Sequence, residues 1–166
     1  MPKLSVIMGV HNGAKTLKRA IDSILEQTYK DFEFVICDDC SDDNTKEILE
    51  TYQKKDSRIV LAFNDTNMGL SASLNKCLEL SKGQLIARMD DDDVSHPKRF
   101  ERQLSFMNEH PEYSVVGTTR FVFDEEGVWG QVNYWGELSA IDIFKGKVFS
   151  HPTVVMRKEV LQEVGN

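Results

Sequence analysis

Four short apolar stretches, Leu4–Met8, Phe32–Cys37, Arg58–Phe63 and Gln84–Met89, alternate with segments of helical period. This alternation constrains the fold more than any other feature of the chain. The stretches are rich in Ile, Val and Phe and too short for helices, so they read as strands. Between them, Ala14–Gln27 sets Leu17, Ile21, Ile24 and Leu25 on one helical face, Asn44–Lys54 sets Ile48, Leu49 and Tyr52, and Leu70–Leu80 sets Leu74 and Leu78. Strands joined by helical crossovers imply a mainly parallel α/β sheet flanked by helices. In such sheets a ligand lies beyond the carboxyl ends of the strands, so the loops that follow each strand are where a site is sought.

The second half is less regular. Pro97–His110 reads as a helix, Ser114–Phe123 and Gly127–Tyr134 as a hairpin across the Asp124-Glu125-Glu126 turn, Val148–Met156 as a strand, and a last helix starts near Arg157. At 166 residues the expectation is one domain, residues 1–166, with a ligand-binding half over 1–95 and a second half over 96–166. The formal charge is −7, which argues against a nucleic-acid or membrane surface as the partner. No apolar run approaches a membrane span and Met1 leads directly into a strand. The chain reads as soluble and cytoplasmic, with a peripheral seat on the inner membrane face left open for a longer protein. Three cysteines are too few for a disulfide framework, and the Cys37–Cys40 C-x-x-C spacing reads as a buried strand-end residue followed by a loop residue.

The acidic residues fall at particular places. Asp38 and Asp39 follow the second strand, with Asp42 and Asp43 close behind, and Asp90 to Asp93 run unbroken after the fourth. Both clusters therefore lie on one edge of the sheet. Four consecutive aspartates repel unless a cation or a rigid hydrogen-bond network compensates, and hard oxygen ligands favour Mg²⁺ or Mn²⁺. A solvated loop is the bland reading, and in the first cluster Ser41 or Asp42 is placed to cap the following helix. An EF-hand fails on Asp90–Glu101, because Ser95 stands where the turn glycine belongs. A receiver domain lacks its acidic pair after the first strand, and neither G-x-G-x-x-G nor a Walker A sequence is present.

The ordered series Ser5-Val6-Ile7-Met8 with His11-Asn12-Gly13, Ala20–Tyr29, Phe32–Asp43, Asn67-Met68-Gly69-Leu70 and Gly83–Asp93 resembles the family 2 inverting nucleotide-sugar glycosyltransferases. Their fold is GT-A, a mainly parallel mixed central sheet flanked by helices. The resemblance implies a nucleotide-sugar donor, a UDP-sugar above others, and a saccharide or lipid-linked acceptor in bacterial surface polysaccharide synthesis. It implies a nucleotide site of His11, Asp39, Asn67, Asp90 and Asp91, with Asp39 on the uracil, His11 stacking where the family often has Tyr, and Asp90 near the ribose. Asp92, with Asp90 second, would hold the Mn²⁺ or Mg²⁺ that bridges the diphosphate, which is how an acidic protein holds phosphate. His151, in His151-Pro152-Thr153, is a candidate for the sugar or acceptor site.

The implied reaction displaces the diphosphate at the anomeric carbon with inversion, and a carboxylate base takes the acceptor proton. In the family that base follows the elements matching Val148–Val164, so it is expected beyond Asn166. Asp93 and Asp142 are poor substitutes for it. Departures from the family pattern are Gly9, often Thr or Pro, and Cys40, often Gly. Arg88 is expected to pair with a neighbouring aspartate, and Trp129, Tyr134 and Trp135 offer either a sugar platform or packing. The rivals are a nucleotidyltransferase, poorly matched by Gly9–Lys15, and a non-catalytic nucleotide-sugar-binding module.

Overall fold

The computed structural model describes residues 2–133, 136–139, 141, 142, 145 and 149–165. The first half alternates as expected: β1 (Leu4–Val10), α1 (Leu17–Leu25), β2 (Phe32–Asp38), α2 (Thr45–Lys55), β3 (Ile59–Phe63), α3 (Leu70–Leu80) and β4 (Leu85–Arg88). Then come α4 (Arg99–Glu109), β5 (Val115–Val116), β6 (Arg120–Asp124), β7 (Gly127–Val132), a 3-10 turn (His151–Thr153), β8 (Val155–Arg157) and α5 (Lys158–Val164). Six strands form one sheet in the order β3-β2-β1-β4-β8-β5, and β6 and β7 form a separate hairpin. β1 pairs in parallel with both β2 and β4, whereas β8 runs antiparallel to β4 and β5. The sheet is therefore mixed and mainly parallel.

Every residue of β1 and β2 is buried, which is why these strands are mostly apolar on both faces, and the polar Ser5 and Glu33 within them bond each other at 2.6 Å. Their alternate residues serve two cores. Leu4, Val6, Met8 and Val10 face one side, where Leu17, Ile21 and Ile24 of α1, Leu49 of α2 and Phe100, Leu104 and Met107 of α4 pack on them. Ile7, Val35 and Cys37 face the other, under Leu74 and Cys77 of α3. Each such side chain contributes roughly 1.5–3 kcal/mol by leaving water. α1 starts later than the Ala14 of its apolar pattern, because residues after Gly13 first form a turn in which the Thr16 and Leu17 N–H groups share the Gly13 carbonyl.

The second half corrects several sequence expectations. Ser114–Phe123 is not one strand: Val115 and Val116 pair with β8, while Arg120–Asp124 leaves the sheet to pair with β7. Val148–Met156 is interrupted by the 3-10 turn, where the Thr153 N–H donates to the Ser150 carbonyl at 2.9 Å, and only Val155–Arg157 is extended. Val148, Tyr134 and Trp135 lie outside the described residues. The hairpin turns at Asp124–Gly127 as expected and the last helix follows Arg157.

A buried polar seam joins the halves. The Gln103 amide donates to the carbonyls of Thr153 (2.8 Å) and Val116 (3.1 Å) and accepts from Arg99 Nε (2.9 Å). Arg99 also donates to the carbonyls of Arg88 and Val154. Among the described residues, no helix is long and apolar enough to cross a membrane.

Candidate active site

The carboxyl ends of β1, β2 and β4 meet the amino end of α3 at one edge of the sheet. Asp39 is the best-held side chain there. It is 3% exposed, and its Oδ1 accepts from Asn64 Nδ2 (2.7 Å) and the Met68 N–H (2.9 Å), its Oδ2 from the Gly69 N–H (2.7 Å). Burial alone would push its carboxyl up, but these donors outweigh it and hold it below the ordinary carboxylate range. Gly69 has φ 85°, a conformation that suits glycine, and this bend turns the N–H groups onto Asp39. The Asn67 side chain accepts from the same Gly69 N–H at 3.1 Å, so it shapes the loop.

His11 is exposed beside Asp39, with Nδ1 2.9 Å from the Asp39 carbonyl oxygen. Its loop is stitched to the one after β2. The Asn12 N–H donates to Ser41 Oγ, its Oδ1 accepts from the Asp42 N–H, the Gly13 N–H donates to Thr45 Oγ1 and the Ala14 N–H to Asp43. Asn12 (φ 57°) and Cys40 (φ 59°) both adopt left-handed backbone, which accounts for the glycine often found at the second position. The capping expectation for Ser41 or Asp42 is corrected. Asp43 takes the Thr45 N–H at 2.9 Å, and Ser41 bonds Asp38 instead.

The acidic run divides. One carboxylate oxygen each from Asp90, Asp92 and Asp93 lies within 4.8 Å of the others, brought together by a turn in which the Asp93 N–H reaches the Asp90 carbonyl. Three hard oxygen donors at this spacing fit Mg²⁺ or Mn²⁺. Burial pushes the Asp93 carboxyl up, as do Asp90 and Asp92, against Arg120 and Arg88. Asp91 lies apart, its carboxylate against Gly13, where any Cβ would collide with it. Burial and the neighbouring aspartates push it up to about 6. Arg88 pairs with Asp90, as its sequence position suggested.

A cavity of about 770 Å³ opens beside Asp92 and Asp93, walled by the start of α4 and the β6 strand. Arg19, Arg102 and Arg120 line it, with Thr118 and Thr119. Arg19 donates to the Asp92 carbonyl at 3.2 Å and lies over the Phe123 ring. His151 stands where Arg88 and Asp90 act on it, and burial, then Arg88, push its imidazole down while Asp90 opposes them. Trp129 is 68% exposed on the hairpin.

Asp39, His11 and Asn67 are thus linked by hydrogen bonds around one loop junction, and Asp90 and Asp92 meet in a second cluster. Sequence reasoning gave Asp93 no ligand role, although its place three residues after Asp90 in an acidic turn was a usable signal. Asn64, which bonds Asp39, carried none, and Asp43, which the sequence places in the first acidic cluster, fixes the loop by accepting from the Ala14 and Thr45 N–H groups. Asp142 bonds Ser139 locally, and Asp93 belongs to the carboxylate cluster.

The sequence matches glycosyl transferase family 2 over residues 5–165. It is 46% identical over 157 residues to the putative glycosyltransferase EpsE of Bacillus subtilis, covering 94% of this chain and 56% of that protein. It is 36% identical over 104 residues to the Escherichia coli UDP-Glc:alpha-D-GlcNAc-diphosphoundecaprenol beta-1,3-glucosyltransferase WfgD, covering 63% of this chain and 40% of that one. Staphylococcus aureus TarS, solved with UDP-GlcNAc, superposes with a TM-score of 0.76 at 23% identity, over 98% of this chain and 47% of that one. The Pyrobaculum calidifontis mannosyltransferase PcManGT, solved with GDP-Man and Mn²⁺, gives 0.77 at 18% identity over 99% and 47%. The chain spans about half the length of EpsE and of both structures.

Proposed function

The chain belongs to glycosyl transferase family 2 and has its GT-A fold, and from that premise we propose that it binds a nucleotide-diphosphate sugar, a UDP-sugar foremost, and passes the sugar to an acceptor hydroxyl with inversion. The single observation that carries this reading is the pair of carboxylate sites on neighbouring strand ends: Asp39, kept ionised by three donors, and the Asp90, Asp92 and Asp93 cluster with cation-ligand spacing. UDP-GlcNAc in TarS and GDP-Man with Mn²⁺ in PcManGT support the donor class and the cation.

Asp39 accepts the hydrogen bond of the uracil ring while His11 stacks on the base and Asn67 holds the loop above it. Asp90 orients the ribose. Asp91, packed on Gly13, braces the run from behind. Asp92 and Asp93, with Asp90, would hold Mn²⁺ or Mg²⁺. That cation supplies positive charge to the departing diphosphate. The acceptor oxygen forms its bond to the anomeric carbon as the bond to the diphosphate breaks, the electron pair leaves with UDP, and the acceptor proton goes to a carboxylate base. The acceptor enters the 770 Å³ cavity, where Arg19, Arg102 and Arg120 suit a phosphate-bearing acceptor such as the diphosphoundecaprenol-linked one in WfgD's name, and exposed His151, next to the lining residue Pro152, meets it at the entrance. The pathway served is surface polysaccharide synthesis.

Calorimetry with UDP tests the reading. Binding should strengthen with Mn²⁺, and Asp92→Asn should remove most of that gain, at least tenfold on the scale of about 1.4 kcal/mol per decade. No UDP binding with or without either cation would overturn it.

A further inference from the structure

Asp90 is already partnered before any ligand arrives. Its Oδ2 accepts from Arg88 Nη1 at 2.8 Å and its Oδ1 lies 2.5 Å from Nη2, so both oxygens are engaged by one guanidinium. Arg88 is 3% exposed and anchored on β4, its N–H on the Val154 carbonyl (3.1 Å) and its own carbonyl taken by Arg99 (2.9 Å). Its Nε is buried and makes no hydrogen bond among the described residues. The side chain leaves that donor unsatisfied and keeps both terminal nitrogens on Asp90. A buried guanidinium deprived of its carboxylate is strongly unfavourable, so Asp90 is held in one orientation.

The pair also fixes the charge that a ligand meets. Three carboxylates attract a bare divalent cation more strongly than three carboxylates with a guanidinium beside them. A cation that already carries a nucleotide diphosphate is net negative, and for it the order reverses. With Arg88 present, the three carboxylates, the guanidinium and one divalent cation sum to neutrality, and a diphosphate approaches a neutral site.

We propose that Arg88 is a positioning residue that fixes Asp90 and trims the charge of the cluster, so that the cation is retained together with a nucleotide diphosphate in preference to the cation alone. This rests on the donor site proposed above and adds to it a coupling between two ligands, which must act equally in both directions.

The experiment measures Mn²⁺ binding by electron paramagnetic resonance and UDP binding by calorimetry, in the wild-type chain, Arg88→Gln and Arg88→Lys. In the wild type, saturating UDP should raise Mn²⁺ affinity by about tenfold or more. In Arg88→Gln, Mn²⁺ alone should bind about three- to tenfold tighter, while UDP in saturating Mn²⁺ binds about tenfold weaker. Arg88→Lys keeps the charge and should return both quantities toward the wild type. A purely structural role would weaken both together. Parallel weakening in Arg88→Gln overturns the proposal, and so does Mn²⁺ affinity in the wild type that is indifferent to UDP, which requires no variant to fold. In both cases UDP still binds, so the donor site stands and only the role of Arg88 falls. Failure of UDP to bind under any condition would remove the donor site and this proposal together.

Discussion

The sheet from β1 to β4 and the region from β5 to the hairpin are built by different rules. In β1 and β2 all residues are buried. In β6 most are exposed, and β7 presents Val128 and Trp129 to solvent. The strands of the first region carry their burial in their own composition, although Phe100, Leu104 and Met107 of α4 share their core. The second takes its shape from partners distant in sequence, such as Val116 on Val155 and Gln103 on Thr153. Burial is therefore concentrated under the Asp39 loop, and exposed surface lies around the cavity walled by β6.

The sharpest way to break this contrast uses one residue type in both regions. Phe34 is fully buried and Phe121 is 60% exposed. Phe34→Ala should cost about 3–5 kcal/mol in urea unfolding, whereas Phe121→Ala should stay within about 0.5 kcal/mol. Equal losses would mean that the hairpin is as much a part of the core as the sheet.

Acid should act on the first region through Asp39. Its carboxyl is held below its ordinary value of about 3.9, so the stability it contributes is complete above that value and disappears as pH falls through the lower folded one. Asp39→Asn should be less stable than the wild type at neutral pH, and the gap should narrow as the pH drops below about 4. A gap that widens in acid would show that the carboxylate is not the stabilising form.

A small stabilising effect is expected at Cys40. Its left-handed backbone makes Cys40→Gly stabilising by about 0.5–1 kcal/mol, read as a raised melting temperature. Destabilisation instead would mean that its Sγ contact with the Asp65 carbonyl at 3.6 Å outweighs the strain.

Legibility in the sequence followed the same division. Buried parallel strands and amphipathic helices have local periods, so β1 to β4 and α1 to α3 were readable within a few residues. Carboxylates that directly follow such strands were placed with them. Asp93 was missed as a member of the carboxylate cluster because a run of four aspartates does not disclose which ones a turn brings together. Asn64 was missed because its bond to Asp39 spans twenty-five residues. The break between Val116 and Arg120 and the 3-10 turn at His151 depend on pairing with β8, for which no local pattern exists.

β8 lies directly beside β4, with Ala87 opposite Val155. During synthesis the strand that leads into the aspartate run therefore has one bare edge until some seventy further residues have emerged, and open edges invite pairing with other chains. Arg157 and Lys158, which bond the Ser114 and Gln84 carbonyls, close that edge last. The order of synthesis thus leaves the β4 edge open until the β8 segment has emerged.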